Sequence, residues 1–233
     1  MRAATGVSEE IYQQLKQELI NMELVPGQHI SENEISTRFH ASRTPTRDVF
    51  TRLEMDGLIE VTPHVGTFVS PIHLDIVNDV LYLREKIEVA VLEELAAAID
   101  PMQKFKLSVQ LIEQGNLLSL ELDEQTMAEQ FHLSDNQFHR NLFQIVRKER
   151  VFDHIMNSFY DYERYRVFLN MTQKQDLQEL YHQHLELSDN LSANNIANMK
   201  LLVHEHLYGG LRKAAPRFEK HPEYFVGELK VNP

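Results

Sequence analysis

One carboxylate and three imidazoles stand at positions from which they could hold a single divalent cation. Asp135 and His139 are four residues apart in SDNQFHRNLF, so a helix would place both on one face. His184, unlike His182, shares the helical register of the leucines in YHQHLELSDNL, and His206 shares that of the apolar residues in MKLLVHEHLY. Four inward side chains on three helices, one carboxylate and three neutral imidazoles, are typical of a zinc or nickel site.

The alternative for these histidines is an ordinary core or surface position with a hydrogen bond to a neighbour. For a single histidine that alternative would be the better one. Four candidates on the inward faces of three helices favour a shared site. A further charged pair, Arg84 and Glu88, is spaced for an ion pair along one helix.

A second group of residues could read DNA. Arg43 and Arg47 are four apart and share one face of a helix, and an arginine can bind guanine or phosphate through two parallel hydrogen bonds. Beside them, the short hydroxyl side chains of Thr44 and Thr46 suit phosphate oxygens or a thymine methyl group. Arg52 is placed for a phosphate contact or a surface ion pair. Gly66, at the tip of the next hairpin, would let the backbone approach the minor groove.

The segment around the arginines has the pattern of a winged helix-turn-helix. A helix is predicted over residues 7–23, a second begins at Ser31 with the spacing of a capping box, and a third ends near Gly57. The runs LIEV and TFVS, separated by TPHVG, predict a two-stranded wing. In a helix-turn-helix the second helix of the motif enters the major groove; here this is the third predicted helix, which carries Arg43 and Arg47.

From about residue 75 onward the hydrophobic period is helical throughout, with no strand pattern. The breaks predict six helices, over residues 75–98, 101–119, 123–146, 149–170, 173–192 and 194–214. We therefore predict a mainly α protein, with an N-terminal winged helix-turn-helix and a C-terminal all-α six-helix bundle. The predicted divisions are residues 1–72, residues 73–215, and a C-terminal tail over residues 216–233 to which the sequence assigns no role.

The composition limits the classes of function that fit this chain. Its 233 residues are 42% hydrophobic and 25% charged, which is ordinary for a globular protein, and without cysteine it has no disulfide or thiolate metal site. A net charge of −12 argues against non-specific coating of nucleic acid, so any DNA contact must come from a local basic patch. Neither a signal peptide nor a membrane span is visible, which predicts a cytoplasmic protein.

Residues 10–70 resemble the N-terminal winged helix of GntR-family transcription regulators. The resemblance is carried by PGQHISENEIS, by SRTPTRD, and by L-x-x-DGLIE followed by P-x-x-GTFV. One departure is Asn33, since relatives such as FadR have a DNA-contacting arginine there. The operator contacts that the resemblance implies are Arg43, Thr46, Arg47 and Gly66.

The helical region resembles the FCD effector domain of FadR-type GntR regulators, through LREKIEVAVLEELAA, DNQFH and the positions of His184 and His206. The resemblance implies that Asp135 and the three histidines bind a divalent metal whose open positions face a small-molecule cavity. It also implies that Arg84 points into this cavity and holds an effector carboxylate, with the ion pair to Glu88 as the alternative. Six helices are more similar to the metal-binding VanR-type branch than to FadR.

These features predict a homodimeric, ligand-responsive transcription regulator, a repressor that binds double-stranded operator DNA and senses a small organic acid through the metal. No enzymatic activity is expected. A metal-dependent hydrolase or lyase fused to a winged helix is the alternative, because a metal with open positions could activate water. A histidine-rich interaction adaptor without a metal is the third hypothesis.

Overall fold

The structure, a computed structural model, describes residues 2–170 and 174–229. It confirms a mainly α protein, with ten α-helices in these residues and a small antiparallel sheet near the N-terminus. The chain divides into two compact units. The first comprises Met1–Leu74 with Phe218–Glu228, and the second comprises Asp75–Arg217 with Leu229–Pro233.

The first unit contains the predicted winged helix-turn-helix. Its sheet is antiparallel in the order β1-β3-β2, so the wing hairpin gains a third strand. The sequence did not predict β1, because two residues are too few to show an alternating pattern. The elements are α1 (Arg2–Ile20), β1 (His29–Ile30), α2 (Glu32–Arg38), α3 (Arg43–Met55), β2 (Ile59–Thr62) and β3 (Gly66–Val69).

Local signals explain where these helices begin and end. The Ser31 hydroxyl accepts a hydrogen bond from the backbone N–H of Glu34 (3.2 Å) and caps α2, as the capping-box spacing predicts. Gly57 follows α3 with φ 72°, a left-handed conformation that favours glycine. The core lies between α1 and α3, and its buried side chains include Ile11, Leu15, Leu19, Val49, Phe50 and Leu53.

Residues 218–228 of the C-terminal tail belong to the first unit. A single 3-10 turn over Pro222–Tyr224 leads into β5 (Phe225–Val226), which pairs in parallel with β4 (Ile72–His73). In this pairing Phe225 lies opposite Ile72, which is fully buried. The prediction that no strand follows the first domain is therefore wrong. A strand this short has no pattern of its own and forms only because its partner is near in space.

The second unit contains seven helices in its described residues. The sequence predicted one helix over residues 149–170, and this is wrong at Phe159, whose backbone is not helical (φ −131°, ψ 77°). The reason is packing. α7 is buried on one face only, whereas residues 162–168 of α8 are all buried. The two helices therefore follow different axes. The helices are α4 (Leu74–Ala98), α5 (Pro101–Leu117), α6 (Glu124–Ile145), α7 (Glu149–Ser158), α8 (Tyr160–Asn170), α9 (Lys174–Ser192) and α10 (Ile196–Phe218).

The other predicted helices of this unit are present with small shifts at their ends. Asp100 and Gln103 form a reciprocal capping box at the start of α5, where Pro101 occupies the first turn. The predicted boundary at residue 173 falls on residues 171–173, outside the described residues. The predicted count of six helices is therefore corrected to seven in the described residues of this unit. In the described part of the chain, no helix is both long and apolar enough to cross a membrane.

Replacing Leu53 by alanine tests the packing of α1 on α3. Leu53 is fully buried, so its truncation should leave a cavity and lower the free energy of unfolding by about 2–5 kcal/mol. Met55 lies on the same helix with 82% of its surface exposed, and Met55→Ala is the matched control, with an expected change within about 0.5 kcal/mol. Urea unfolding followed by circular dichroism measures both variants, and equal losses would contradict this core.

Candidate metal centre and nucleic-acid interface

The four predicted ligand residues meet inside the second unit. α6 contributes Asp135 and His139, α9 contributes His184, and α10 contributes His206. All four are buried, and one ligand atom from each lies within 4.8 Å of the others. The structure therefore brings together the whole set that helical register selects.

The imidazole Nε2 atoms face one another at the centre of this cluster. His206 Nε2 lies 3.0 Å from His139 Nε2 and 3.4 Å from His184 Nε2. The Asp135 carboxylate closes the group, with Oδ1 3.3 Å from His184 Nε2 and 3.9 Å from His206 Nε2. Three nitrogens and one oxygen, from three helices, thus surround a common point.

The opposite nitrogen of two of these imidazoles contacts a glutamine oxygen. Nδ1 of His184 lies 2.8 Å from Gln114 Oε1, and Nδ1 of His206 lies 3.0 Å from Gln183 Oε1. An amide oxygen only accepts hydrogen bonds, so each Nδ1 carries the proton and each Nε2 carries a lone pair. The sequence did not reveal Gln114 or Gln183 as site residues, because glutamines are common on helix surfaces.

His139 has a charged partner in place of an amide. Its Nδ1 lies 2.9 Å from Glu88 Oε2, an electrostatic contact that is not aligned as a hydrogen bond. The carboxylate favours the proton on Nδ1 here too, which turns a third lone pair toward the centre. Nitrogen lone pairs at these separations repel one another unless a cation lies among them. The donor set therefore fits a divalent metal.

Burial and neighbouring charges keep Asp135, His184 and His206 in the protonation states that a metal requires. Burial lowers the pKa of His184, and burial together with the neighbouring imidazoles lowers the pKa of His206 well below its ordinary value. Burial alone would raise the pKa of Asp135, but Arg166 and the histidines outweigh it and hold this pKa well below the usual range. Neutral imidazoles and a charged carboxylate are the forms that bind divalent ions.

Arg166 is a further site residue that the sequence did not reveal. It is buried on α8, and its Nη2 contacts Asp135 Oδ2, which leaves Oδ1 as the oxygen nearer to His184. Its Nη1 contacts Asn136 Oδ1 and lies 3.3 Å from Glu163 Oε1. The only available signal was the three-residue spacing of Glu163 and Arg166, which occurs on many helix surfaces.

A pocket in the second unit includes Asp135 and His206 among its lining residues. Arg84 lines the same pocket and is almost fully buried, and its Nε donates to Glu88 Oε1 (2.6 Å) while Nη1 donates to the Tyr162 hydroxyl (2.7 Å). Its Nη2 is buried and has no partner among the described residues. Arg84 therefore makes the predicted ion pair and keeps one NH2 group, Nη2, without a partner among the described residues, beside the predicted metal ligands.

Three of the predicted DNA contacts are exposed at the start of α3. Arg43, Thr44 and Arg47 all reach solvent there. Arg47 has 75% of its side chain exposed and makes only a 3.8 Å ion pair with Glu32. Exposed ion pairs of this length contribute little, so the guanidinium is free to move to another anion.

Thr46, the fourth predicted contact on this turn, has an internal role instead. It is fully buried, and its Oγ1 lies 3.0 Å from Ser36 Oγ and 3.1 Å from the carbonyl oxygen of Ser42. Its hydroxyl therefore joins α2 to α3 and does not reach the surface. The prediction that Thr46 contacts DNA is wrong in this structure.

Arg52 and Gly66 also have contacts within the first unit. Arg52 pairs with Glu9 (2.8 Å) and lies over the ring of Tyr12, so the surface ion pair, one of its two predicted roles, is present. Gly66 has φ 151°, and a Cβ atom there would lie 2.8 Å from Nε2 of His29. The positive φ therefore favours glycine here, independently of any contact with DNA.

Two family models match the chain. The model described as "Bacterial regulatory proteins, gntR family" matches residues 7–69. The model of the FCD domain matches residues 79–209, which is more than half of the chain.

Individual relatives match over half of the chain or more. The HTH-type transcriptional repressor RspR of Escherichia coli (strain K12) is 29% identical over 201 residues, 86% of each chain. An HTH-type transcriptional regulator in an unstable DNA locus of Streptomyces ambofaciens is 36% identical over 136 residues, 58% of this chain and 55% of that protein.

Solved structures share the fold. E. coli McbR/YncC matches with a TM-score of 0.67 and 14% identity, over 91% of this chain and 98% of that chain. A GntR regulator from Rhodococcus sp. RHA1 matches with a TM-score of 0.64 and 21% identity, over 88% and 96%. The chain therefore belongs to the GntR family: it is a DNA-binding transcription regulator with an FCD domain, and not an enzyme.

Proposed function

We propose that this regulator is a homodimeric repressor that a small organic acid releases from operator DNA, with a divalent metal at the centre of the sensing site. DNA reading is assigned to residues 1–72 and sensing to residues 73–215, in a protein that acts in the cytoplasm. The observation that carries the sensing part is the convergence of three imidazoles and one carboxylate in a buried site. The relative RspR is named a repressor, which supports the sign of regulation.

The metal would be held by Asp135, His139, His184 and His206, and zinc or nickel suits this donor set best. When bound, the metal supplies a Lewis-acid position for an oxygen ligand. The chain's own residues hold the donors ready, because acceptors at each Nδ1 fix the tautomers and Arg166 orients the carboxylate. This fixed orientation of the donor atoms supports the proposal that an ion is bound there.

Arg84 is the residue proposed to hold the carboxylate of the effector. Burial would lower its pKa, but Glu88 and Tyr162 outweigh burial and raise the pKa above its ordinary value, so the guanidinium stays charged. Leaving its Nη2 buried without a partner costs free energy, which a carboxylate oxygen of the effector would recover. Arg166 lines the same pocket and adds positive charge.

Acidic side chains line another part of this pocket. Asp176 and Glu179 belong to its lining, together with the amide of Gln183. Carboxylates accept hydrogen bonds from hydroxyl groups but repel a second carboxylate. The lining therefore favours an acid that also carries hydroxyl groups.

The proposed DNA contacts are the exposed residues of α3 and the wing. Arg43 and Arg47 would read base edges or bind phosphates in the major groove, and Thr44 would bind a phosphate. Gly66 is proposed to let the wing approach the minor groove. A dimer would present two such helices to the half-sites of a palindrome.

Glu88 offers a physical link between effector and metal. One of its oxygens accepts from Arg84 Nε, and the other faces His139 Nδ1 at 2.9 Å. A carboxylate bound to Arg84 would therefore act on a residue that also orients a metal ligand. The proposal is that this binding shifts the population between DNA-competent and DNA-incompetent states.

Gln114→Leu tests the role of the outer contacts of the cluster. Without an acceptor for its Nδ1 proton, His184 can take the tautomer that carries the proton on Nε2, which then has no lone pair for the metal. The affinity for zinc should therefore fall about 10–100-fold. Gln110→Leu is the matched control, because Gln110 is buried on the same helix but accepts a hydrogen bond from Asn141. Competition against a chromogenic chelator measures both affinities, and equal values would refute the assigned role of Gln114.

Arg47→Ala tests the DNA assignment. We expect its affinity for fragments of the protein's own promoter region to fall about tenfold or more, because a base or phosphate contact is lost. Arg52→Ala is the comparison, with a smaller loss, since its guanidinium is already paired with Glu9. Fluorescence anisotropy at fixed salt measures both variants. Unchanged binding by Arg47→Ala would overturn the contact.

Metal removal tests the sensing mechanism. In a thermal-shift screen of small hydroxylated carboxylates, a ligand at a hundred times its Kd stabilises the native state by about 2.7 kcal/mol. We expect such a shift, and release of DNA, from zinc-loaded protein only. An equal response from protein verified as metal-free would refute the metal-centred mechanism and leave the DNA assignment intact.

A further inference from the structure

The chain leaves the second unit after Arg217, and the tail segment that follows, Phe218–Glu228, belongs to the first unit. Neither the predicted DNA contacts nor the predicted sensing residues include any part of this segment. It nevertheless has a defined position, because its strand β5 pairs with β4 in a fixed register. β4 comes directly before α4, the helix that carries Arg84 and Glu88. The segment before α4 and the segment after α10 are therefore joined by one small sheet.

The tail segment is packed on itself as well as on β4. The rings of Phe218 and Phe225 lie 4.7 Å apart in a T-shaped arrangement, and the rings of His221 and Tyr224 stack at 4.8 Å. Phe225 also lies opposite Ile72, which is fully buried. Aromatic pairs of this kind stabilise a structure beyond the burial of their area. Side chains therefore hold β5 in place, which the backbone of a two-residue strand alone would not do.

Arg217, the residue immediately before the tail segment, is bonded to the end of α8. Its Nη1 donates to the backbone carbonyl oxygens of Phe168 (2.6 Å) and Leu169 (3.1 Å), and its guanidinium lies over the Phe168 ring at 5.0 Å. The last carbonyl groups of a helix have no partner inside the helix and attract a cation. Arg217 therefore fixes the last turn of α8.

α8 also forms part of the wall of the sensing pocket. Tyr162, Tyr165, Arg166 and Leu169 all belong to α8 and line this pocket. Leu169 thus has both roles, since it lines the pocket and its carbonyl oxygen accepts a hydrogen bond from Arg217. A ligand that moves the end of α8 must therefore move Arg217 or break its hydrogen bonds.

We propose that Arg217 and the tail segment form a mechanical link that transmits the state of the sensing pocket to β4 in the first unit. The link runs from the end of α8 to Arg217, across one peptide bond to Phe218, and through β5 to β4. The inference rests on the proposed function in taking this pocket as the effector site. Coupling free energies are reciprocal, so a change at either end of the link must alter the other end.

Arg217→Gln tests the link from the sensor end. The chain has no cysteine, so a spin label can be attached at Val226→Cys alone, on a residue of β5 that is 49% exposed. We expect the immobile component of the electron paramagnetic resonance spectrum to dominate in the parent. In Arg217→Gln its ratio to the mobile component should fall about tenfold, because the tail segment loses its anchor.

Two further variants show whether this effect belongs to the anchor itself. Arg217→Lys keeps a cation at the carbonyl groups and should stay within about twofold of the parent. Arg150→Gln, at an exposed arginine of α7, is the matched control and should leave the label immobile. If Arg217 only capped α8, the label would stay immobile in Arg217→Gln as well.

Phe225→Asp tests the link from the other end. A charged side chain opposite Ile72 should release β5 from β4. Amide hydrogen exchange in the last turn of α8, residues 166–170, should then become about tenfold faster, because Arg217 is no longer held by a docked tail segment. Lys220→Asp is the control, since it places an aspartate in the tail segment outside β5. Hydrogen exchange mass spectrometry measures both variants.

Either measurement can overturn the link. A label that is mobile in the parent, a label that stays immobile in Arg217→Gln, or unchanged exchange of α8 in Phe225→Asp would each refute it. Circular dichroism checks the folding of every variant, and Phe225→Asp decides alone if Arg217→Gln does not fold. Neither measurement uses an effector, a metal or DNA. Failure of the link therefore leaves the proposed function standing, and failure of metal-dependent sensing is detected separately.

Discussion

The second unit depends on one electrostatic constraint: three imidazole lone pairs are held facing each other in a buried space. The contacts behind each ring impose this orientation, since Nδ1 of His184 and of His206 meets an amide oxygen and that of His139 meets Glu88. The rings come from α6, α9 and α10, and the outer partners come from α4, α5 and α9. A cation at the centre would therefore stabilise the packing of five helices at once.

The buried charges around this centre form a connected network. Glu88 contacts both Arg84 and His139, and Arg166 contacts both Asp135 and Glu163. Partly satisfied networks are costly in a low-dielectric interior, and in the described part of the chain Nη2 of Arg84 has no partner. A ligand that supplies the missing acceptor would gain binding free energy from it.

The first unit has a small basic surface although the whole protein is acidic, because some of its polar side chains point outward and others point inward. Arg43 and Arg47 stay exposed, whereas Thr46 turns inward and joins α2 to α3 through Ser36. Arg52 is neutralised by Glu9. The net charge of the whole chain, −12, therefore says little about this face, where the direction of each side chain decides what DNA could meet.

The helix-turn-helix with its wing, many core positions and the four residues of the buried cluster were predictable, because each depends on a local period. Helical register separates His184 from His182 without any knowledge of the neighbouring helices. Phe159, Arg166, Thr46 and the tail strand were not predictable, since each depends on a partner distant in the chain. An arginine or a threonine has the same local pattern whether it faces water or a buried carboxylate. Only the tertiary packing decides between these two environments, because it determines which polar groups lie near each side chain and need a partner.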